Sequence, residues 1–386
     1  MSSTSHAAPA PLGGPLVTPV TIALALLTAI AAVVLCYRLV FGLGAVSNIS
    51  DGYPWGIWLV YDVMIGSAFA CGGYMMAILV YIFNRGEYHP MVRPALLASV
   101  FGYTLAGVSV VVDLSRWWNA WHIVWPTYVQ PNSVLCEVAL CISAYTMVAW
   151  IELTPAFLKK FGFKDLDRKL NKVMFLILAL GVLLPTMHQS SLGSLLIVFG
   201  NHVHPLWQSL AMPLLFLISC MCMGFAIVIF ESCLSSSGFH RPLELHLLGK
   251  LSKLMVTMVS VFLLVRTADL AWRGVLGYVF QPTLIALMFW IETALFAAPL
   301  VLLYRAVERR KPAKLFAGAM CLMLGGFILR VNAYLIGYSN NPGWHYFPSI
   351  SEILVSIGFI SFEILAYIVL ARYLPILPKE KMTIPQ

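Results

Sequence analysis

Charged side chains are scarce in this chain of 386 residues: Asp, Glu, Lys and Arg make up 10% of it, against 60% hydrophobic residues. Soluble domains are about half apolar and about one quarter charged. A water-soluble globule of this size cannot hide that much apolar surface. A soluble enzyme, a nucleic-acid binder and a disordered chain are therefore excluded. Metal-ligand spacing is missing too. The eight cysteines (Cys36, Cys71, Cys136, Cys141, Cys220, Cys222, Cys233 and Cys321) all fall in apolar stretches. None forms a C-x-x-C pair or stands beside a histidine at zinc or iron–sulfur spacing. They read as small hydrophobes, and no iron–sulfur cluster is expected in the chain. No P-loop, hydrolase elbow, low-complexity linker or soluble domain is present. Residues 1–15 are rich in Ser, Ala and Pro and lack a basic n-region, so they do not read as a cleaved signal peptide.

What the chain has is long apolar runs. A bilayer core takes about 20 apolar residues per helix. Ten runs meet that length: 17–41, 54–83, 92–114, 132–158, 170–188, 208–235, 248–272, 281–305, 313–337 and 349–374. Basic residues give an independent check, because Lys and Arg gather on the inner side. With the N-terminus inside, 19 of the 24 basic residues fall in inner segments. The other five are Arg38, Arg116, Arg266, Arg273 and Arg330. The expected fold is all-α and polytopic, N-in and C-in, with two packed four-helix bundles and peripheral helices. The tails are 1–16 and 375–386, and the membrane domain is 17–374. The outer loops carry aromatics, as in Trp117-Trp118-Asn119-Ala120-Trp121-His122, where they form either an interfacial belt or a docking face.

Ionisable residues inside a span cost about 2.5–3.5 kcal/mol each on insertion scales and usually pair or serve a function. Here they crowd toward outer helix ends: Arg38, Asp62, Asp113, Arg116, Glu137, His188, Arg266, Asp269, Arg330 and Glu352. Asp113 with Arg116, and Arg266 with Asp269, have the spacing of intrahelical salt bridges. Asp62, Glu137 and His188 have no local partner. Glu152, Glu231, Glu292 and Glu363 lie deeper, where carboxylates relay protons or stay buried as neutral acids.

A b-type haem in a bundle usually needs two facing histidines. The nine histidines are His6, His89, His122, His188, His202, His204, His240, His246 and His345, and only His188 lies within a span. No haem is expected on that count. A polar pocket in an apolar bundle suits a ligand with a polar head and a lipid tail, such as a quinone. Such a ligand needs donors to its carbonyls and acids to deliver protons, and His188, Asp62 and Glu137 are of the right types. A haem-bearing cytochrome b subunit and a secondary transporter remain the alternatives; Pro185, Pro213 and Pro299 are candidate helix breaks for the latter.

Several stretches carry a resemblance. They include Phe41-Gly42-Leu43-Gly44, Tyr53-Pro54-Trp55-Gly56-Ile57-Trp58, Phe83-Asn84-Arg85-Gly86-Glu87-Tyr88-His89-Pro90, Asn132-Ser133-Val134-Leu135-Cys136-Glu137, Leu184-Pro185-Thr186-Met187-His188-Gln189-Ser190-Ser191 and His204-Pro205-Leu206-Trp207-Gln208-Ser209. Over about residues 11–378 the chain resembles the membrane subunits of the polysulfide reductase and NrfD-like family, in particular those that anchor periplasm-facing [NiFe]-hydrogenases. The resemblance implies an inner-membrane, quinone-reactive subunit of a hydrogen:quinone oxidoreductase, with no hydrogenase centre of its own. Its implied partners are a periplasmic ferredoxin-like iron–sulfur subunit, the hydrogenase small and large subunits, the quinone pool and lipids. Menaquinone or ubiquinone would bind without haem in the bundle at about 54–188, among Trp58, Asp62, Asp113, Arg116, Glu137 and His188. His188 or Arg116 would polarise a carbonyl, and Glu137 and Asp62 would hand over protons. Glu152, Glu231 and Glu363 would relay protons if these come from inside. The sequence leaves the side of proton uptake open.

Overall fold

A computed structural model describes residues 9–53, 55–340 and 343–377. Pro54, Pro342 and, in the expected tails, His6, Lys379 and Lys381 lie outside the described residues. Among the described residues, ten helices are long and apolar enough to cross a membrane. We label them α1 (Pro19–Phe41), α2 (Trp58–Ile82), α3 (Gly86–Asp113), α4 (Val134–Phe161), α5 (Lys164–His202), α6 (Met212–Gly238), α7 (Leu245–Trp272), α8 (Leu284–Leu302), α9 (Pro312–Ile336) and α10 (Ile350–Tyr373). The chain is a multi-pass membrane protein. Hydrocarbon offers no hydrogen bonds to a backbone, so helices are the form in which a single apolar segment can cross it.

Helix ends follow local sequence. At the start of α1, Thr18 and Thr21 form a capping box with Pro19 in the first turn. Ser349 and Glu352 do the same for α10. α4 stops at Gly162, whose φ of 78° suits a residue without Cβ.

Helices α2–α5 pack into one four-helix bundle and α6–α9 into a second. α1 and α10 pair with each other, and α10 packs on α2 and α3. The bundles meet where α5 touches α6 and where α2 touches α6 and α9. The first and last described residues lie on one side: Ala10 N donates to Leu377 O and Gly13 N to Arg372 O, each at 3.0 Å. Arg93 Nη1, at the start of α3, donates to Pro375 O on that same side (2.9 Å). Lys250, at the start of α7, meets Glu87 there (2.5 Å). The aromatic loops share the opposite side. Tyr53 OH donates to Tyr338 O (3.0 Å), His204 N to Gly337 O (2.7 Å) and Arg273 Nη1 to Pro205 O (2.7 Å).

Two features depart from the sequence reading. α5 does not end at 188 but continues to His202. Its polar stretch fits the helix, since Ser191 Oγ and Ser194 Oγ satisfy themselves on carbonyls four residues back. His188 is thus fourteen residues short of the helix end, about 21 Å at 1.5 Å per residue. The interrupted helix is α2, and no proline breaks it. α5 runs through Pro185, Pro213 lies in the first turn of α6 and Pro299 near the end of α8. α2 is π-wound over Trp58–Ile65, breaks at Ala70 and Cys71, and is π-wound again over Ile78–Ile82. Ser99 of α3 repairs the break: its Oγ donates to Ala70 O (2.5 Å) and accepts from Gly73 N (2.9 Å).

Gly224 of α6 lets the bundles meet at this break. A Cβ there would stand 2.5 Å from Met75 Cγ and 2.8 Å from Cys71 O. Gly224→Val should therefore destabilise the protein by about 1–3 kcal/mol through overpacking, read as a lower thermal midpoint in detergent. Gly238→Ala, where a Cβ meets nothing within 4 Å, should leave that midpoint unchanged.

Candidate functional site

The expected site residues separate into three places. Trp58 is fully buried, and its Nε1 donates to Glu352 O of α10 (3.0 Å). One turn on, Asp62 Oδ2 accepts from Ser356 Oγ (3.2 Å), also on α10. Asp113 is the last residue of α3, with a buried Oδ1 that no partner satisfies; Arg38 and Glu352 are the charges acting on it. Arg38 fixes α1 to this end of α3: its Nε donates to Val112 O (2.8 Å), and its Nη2 donates to Leu114 O. Trp58, Asp62 and Asp113 therefore form a group at the junction of α1, α2, α3 and α10.

Arg116 and Glu137 belong to the rim. α3 ends at Asp113 and the chain extends at Leu114, so Asp113 and Arg116 do not share a helix face; Arg116 is exposed. Glu137 is half-buried in the first turn of α4. Near them Trp118, Trp121, Trp125 and Tyr128 are exposed. Across the rim, Tyr346 OH donates to Glu352 Oε1 (2.8 Å) and accepts from Ile57 N (2.6 Å), which clips the start of α2 to α10. Burial first, and then the Glu352 carboxylate, push the Tyr346 phenol up. Burial pushes the His204 imidazole down.

His188 anchors the third group, at the contact between bundles. Its ring is fully buried, and Nε2 lies 2.9 Å from Ser67 Oγ. Gln189 Nε2 donates to the same hydroxyl (3.0 Å), and Gln189 Oε1 accepts from Arg330 Nη2 (3.2 Å). Arg330 is fully buried in α9, yet no carboxylate lies within 4.0 Å of it among the described residues. Three further donors go to Met64 O (2.9 Å), Gly326 O (3.1 Å) and Met223 Sδ (3.2 Å), and the guanidinium lies over the Phe216 ring. Since Ser67 Oγ accepts from Gln189, its own proton can go to His188 Nε2. The imidazole hydrogen then sits on Nδ1, which is buried and unpartnered. A buried donor without a partner is costly, and a ligand carbonyl would satisfy it.

From the sequence, Arg330 is expected at an outer helix end, and neither Ser67 nor Gln189 stands out. Ser67 lies among glycines and apolar residues, and Gln189 follows His188 directly. The second expected salt bridge also rearranges. Arg266 faces Glu292 of α8 (3.7 Å), while Asp269 pairs with Arg273 (2.8 Å). Glu292 also accepts from Trp207 Nε1 (3.0 Å) and Asn332 Nδ2 (2.8 Å), so the cation of this buried pair has an anion beside it, although Arg266 Nε and Nη2 make no hydrogen bond.

The family model described as polysulphide reductase, NrfD, matches residues 45–338. The chain belongs to the NrfD family. The "Probable Ni/Fe-hydrogenase 2 b-type cytochrome subunit" of Escherichia coli K12 is 46% identical, over 97% of this chain and 96% of that protein. The "Menaquinone reductase, integral membrane subunit" of Nitratidesulfovibrio vulgaris Hildenborough is 26% identical, over 88% and 87%. Both names are those of subunits of redox enzymes, which does not favour the transporter alternative.

The expectation of a haem-free NrfD subunit is overturned, because the E. coli relative carries the name of a b-type cytochrome. That expectation rested on the missing pair of histidines. Among the described residues, His188 is the one buried histidine. It fits a single axial ligand and does not fit a bis-histidine pair.

The Arg266–Glu292 pair supplies a structural contrast. Glu292→Leu should cost about 3–5 kcal/mol by stranding a buried cation. Adding Arg266→Met should recover much of that loss in thermal unfolding. Additive losses would contradict the pairing.

Proposed function

We propose that this chain is the quinone-reactive membrane subunit of a hydrogenase complex, and that the His188–Ser67–Gln189–Arg330 group binds the quinone head. The observation that carries this reading is Arg330: a guanidinium buried between two bundles without a counter-anion. A preorganised positive charge in a low-dielectric site favours the gain of negative charge by a neighbouring group. The orphan His188 Nδ1 supplies a donor for a carbonyl. The name of the menaquinone reductase relative supports the substrate class, and that of the E. coli relative supports the hydrogenase partner.

In this reading the large and small hydrogenase subunits oxidise H2. A ferredoxin-like iron–sulfur subunit docks on the aromatic rim, on the periplasmic side of the inner membrane, and passes the electrons on. Reduction of menaquinone or ubiquinone takes two electrons and two protons. Arg330 supplies the field and His188 orients the head. Asp62 and Glu137 hand protons to the head, and the bonds of Trp58 and Asp62 to α10 hold that turn of α2 in place.

The same orphan nitrogen supports a second reading, in which His188 is one axial ligand of a b-type haem. Both readings pass electrons through the same part of the chain. A reduced-minus-oxidised visible spectrum separates them. Cytochrome α and Soret bands that vanish in His188→Ala would assign the ring to iron.

Arg330→Met tests the first reading. Assembly and thermal midpoint should stay near wild type, while H2-dependent quinone reduction falls at least ~100-fold, the scale of losing one electrostatic stabiliser. His188→Ala and Glu137→Gln should also lose quinone reduction with the complex intact. Full quinone reduction in Arg330→Met would refute the assignment.

A further inference from the structure

Three deep carboxylates are candidates for proton relay, and the structure treats them differently. Glu231 of α6 accepts from Tyr367 OH and borders a cavity of only about 60 Å³. Glu363 of α10 borders neither this cavity nor the larger one beside Glu152. Glu152 of α4 lines that larger cavity, of about 380 Å³, and its Oε1 is buried without a partner. At about 30 Å³ per water, such a space holds about a dozen molecules.

The position of this cavity is informative. Its wall includes Gly73 and Tyr81 of α2, Arg93 of α3, Lys159 of α4 and Asn171 of α5, with Pro9 and Ile376 from the two chain ends. It therefore opens on the side that carries the chain ends and the basic segments, opposite the aromatic loops. Tyr81, Lys159 and Asn171 are exposed at its mouth. Gly181 of α5 leaves room for the carboxylate itself: a Cβ there would stand 2.1 Å from Glu152 Oε1. Toward the bundle centre, Tyr145 follows Glu152 on the same helix, two turns away. Its ring lies 4.3 Å from that of Tyr103, which in turn lies 5.9 Å from the His188 ring.

We propose that this cavity is a water-filled vestibule through which Glu152 takes up protons from the basic side of the membrane for the His188 group. The inference rests on the quinone-reactive reading and adds the side of uptake to it. Glu152 passes a proton inward, toward Tyr145, and is reprotonated from vestibule water; the two electrons arrive separately from the docked subunit. The charged and titratable groups that face the carboxylate across the cavity are Tyr81 of α2, His89 and Arg93 of α3 and Lys159 of α4. The cations among them hinder metal ions from entering and leave proton transfer through water open.

Two measurements test this. In membrane vesicles of both orientations, Leu178→Cys and Met174→Cys, both on the cavity wall, should react with a charged, impermeant maleimide only from the basic side. Peptide mass spectrometry gives the readout. No modification at either position, or modification from the aromatic side, would overturn the vestibule. In proteoliposomes holding the whole complex, Glu152→Gln should lower both quinol formation and alkalinisation of the compartment facing the basic side by at least ~10-fold. Glu152→Asp should restore part of both. Wild-type proton uptake in Glu152→Gln would overturn the role of Glu152. A wild-type complex that reduces no quinone would instead sink the quinone-reactive reading, while the maleimide labelling still decides on the vestibule.

Discussion

A helix that breaks inside hydrocarbon must find partners for the backbone groups it frees, since no water is there to take them. In this NrfD protein that constraint falls on α2, the most enclosed of the ten helices. Ser99 of α3 takes up the freed carbonyl of Ala70 and the amide of Gly73, so the break depends on a neighbouring helix in the same bundle. Just before the break, Met64 lends its carbonyl to Arg330 and Ser67 its hydroxyl to His188 and Gln189. π-winding puts one more residue in a turn and often marks functional segments. One irregular helix thus organises polar groups from both bundles.

The buried charges divide along the same line. In the second bundle Glu292 has Arg266, Trp207 and Asn332 around it. There a carboxylate stands beside the cation, and the pair reads as architecture. Between the bundles Arg330 has only dipoles, a thioether and an aromatic face. Burying a cation without an anion is expensive. The proposed function gives that charge a purpose: to meet an electron-rich head group as it is reduced.

Much of the fold was legible in the sequence because a bilayer imposes length and charge rules. Ten apolar runs and the alternation of basic loops point to ten helices with both tails on one side, and the family resemblance points to the bundles. The family was legible from its motifs. The finer site was harder, for physical reasons. Window hydropathy closes a span where polarity begins, so the Gln189-Ser190-Ser191 stretch looked like a loop, although its serines bond back to the helix. That error moved His188 toward the surface. Pairings at i, i+3 assume a continuous helix; α3 stops before Arg116, and Arg266 turns to another helix. Ser67 and Gln189 carry no charge, so nothing in a single sequence separates them from packing residues. The histidine count led to a haem-free expectation, which the cytochrome name of the E. coli relative overturns.

In the proposed function, the contact between the bundles, around Arg330, receives the quinone head. A photoactivatable quinone analogue carried on the assembled complex tests it most directly. Cross-links are expected on residues 60–71 of α2, 185–193 of α5 and 326–334 of α9, competed away by excess unmodified quinone. Competed cross-links confined to the lipid-facing sides of α7 and α8 would contradict it.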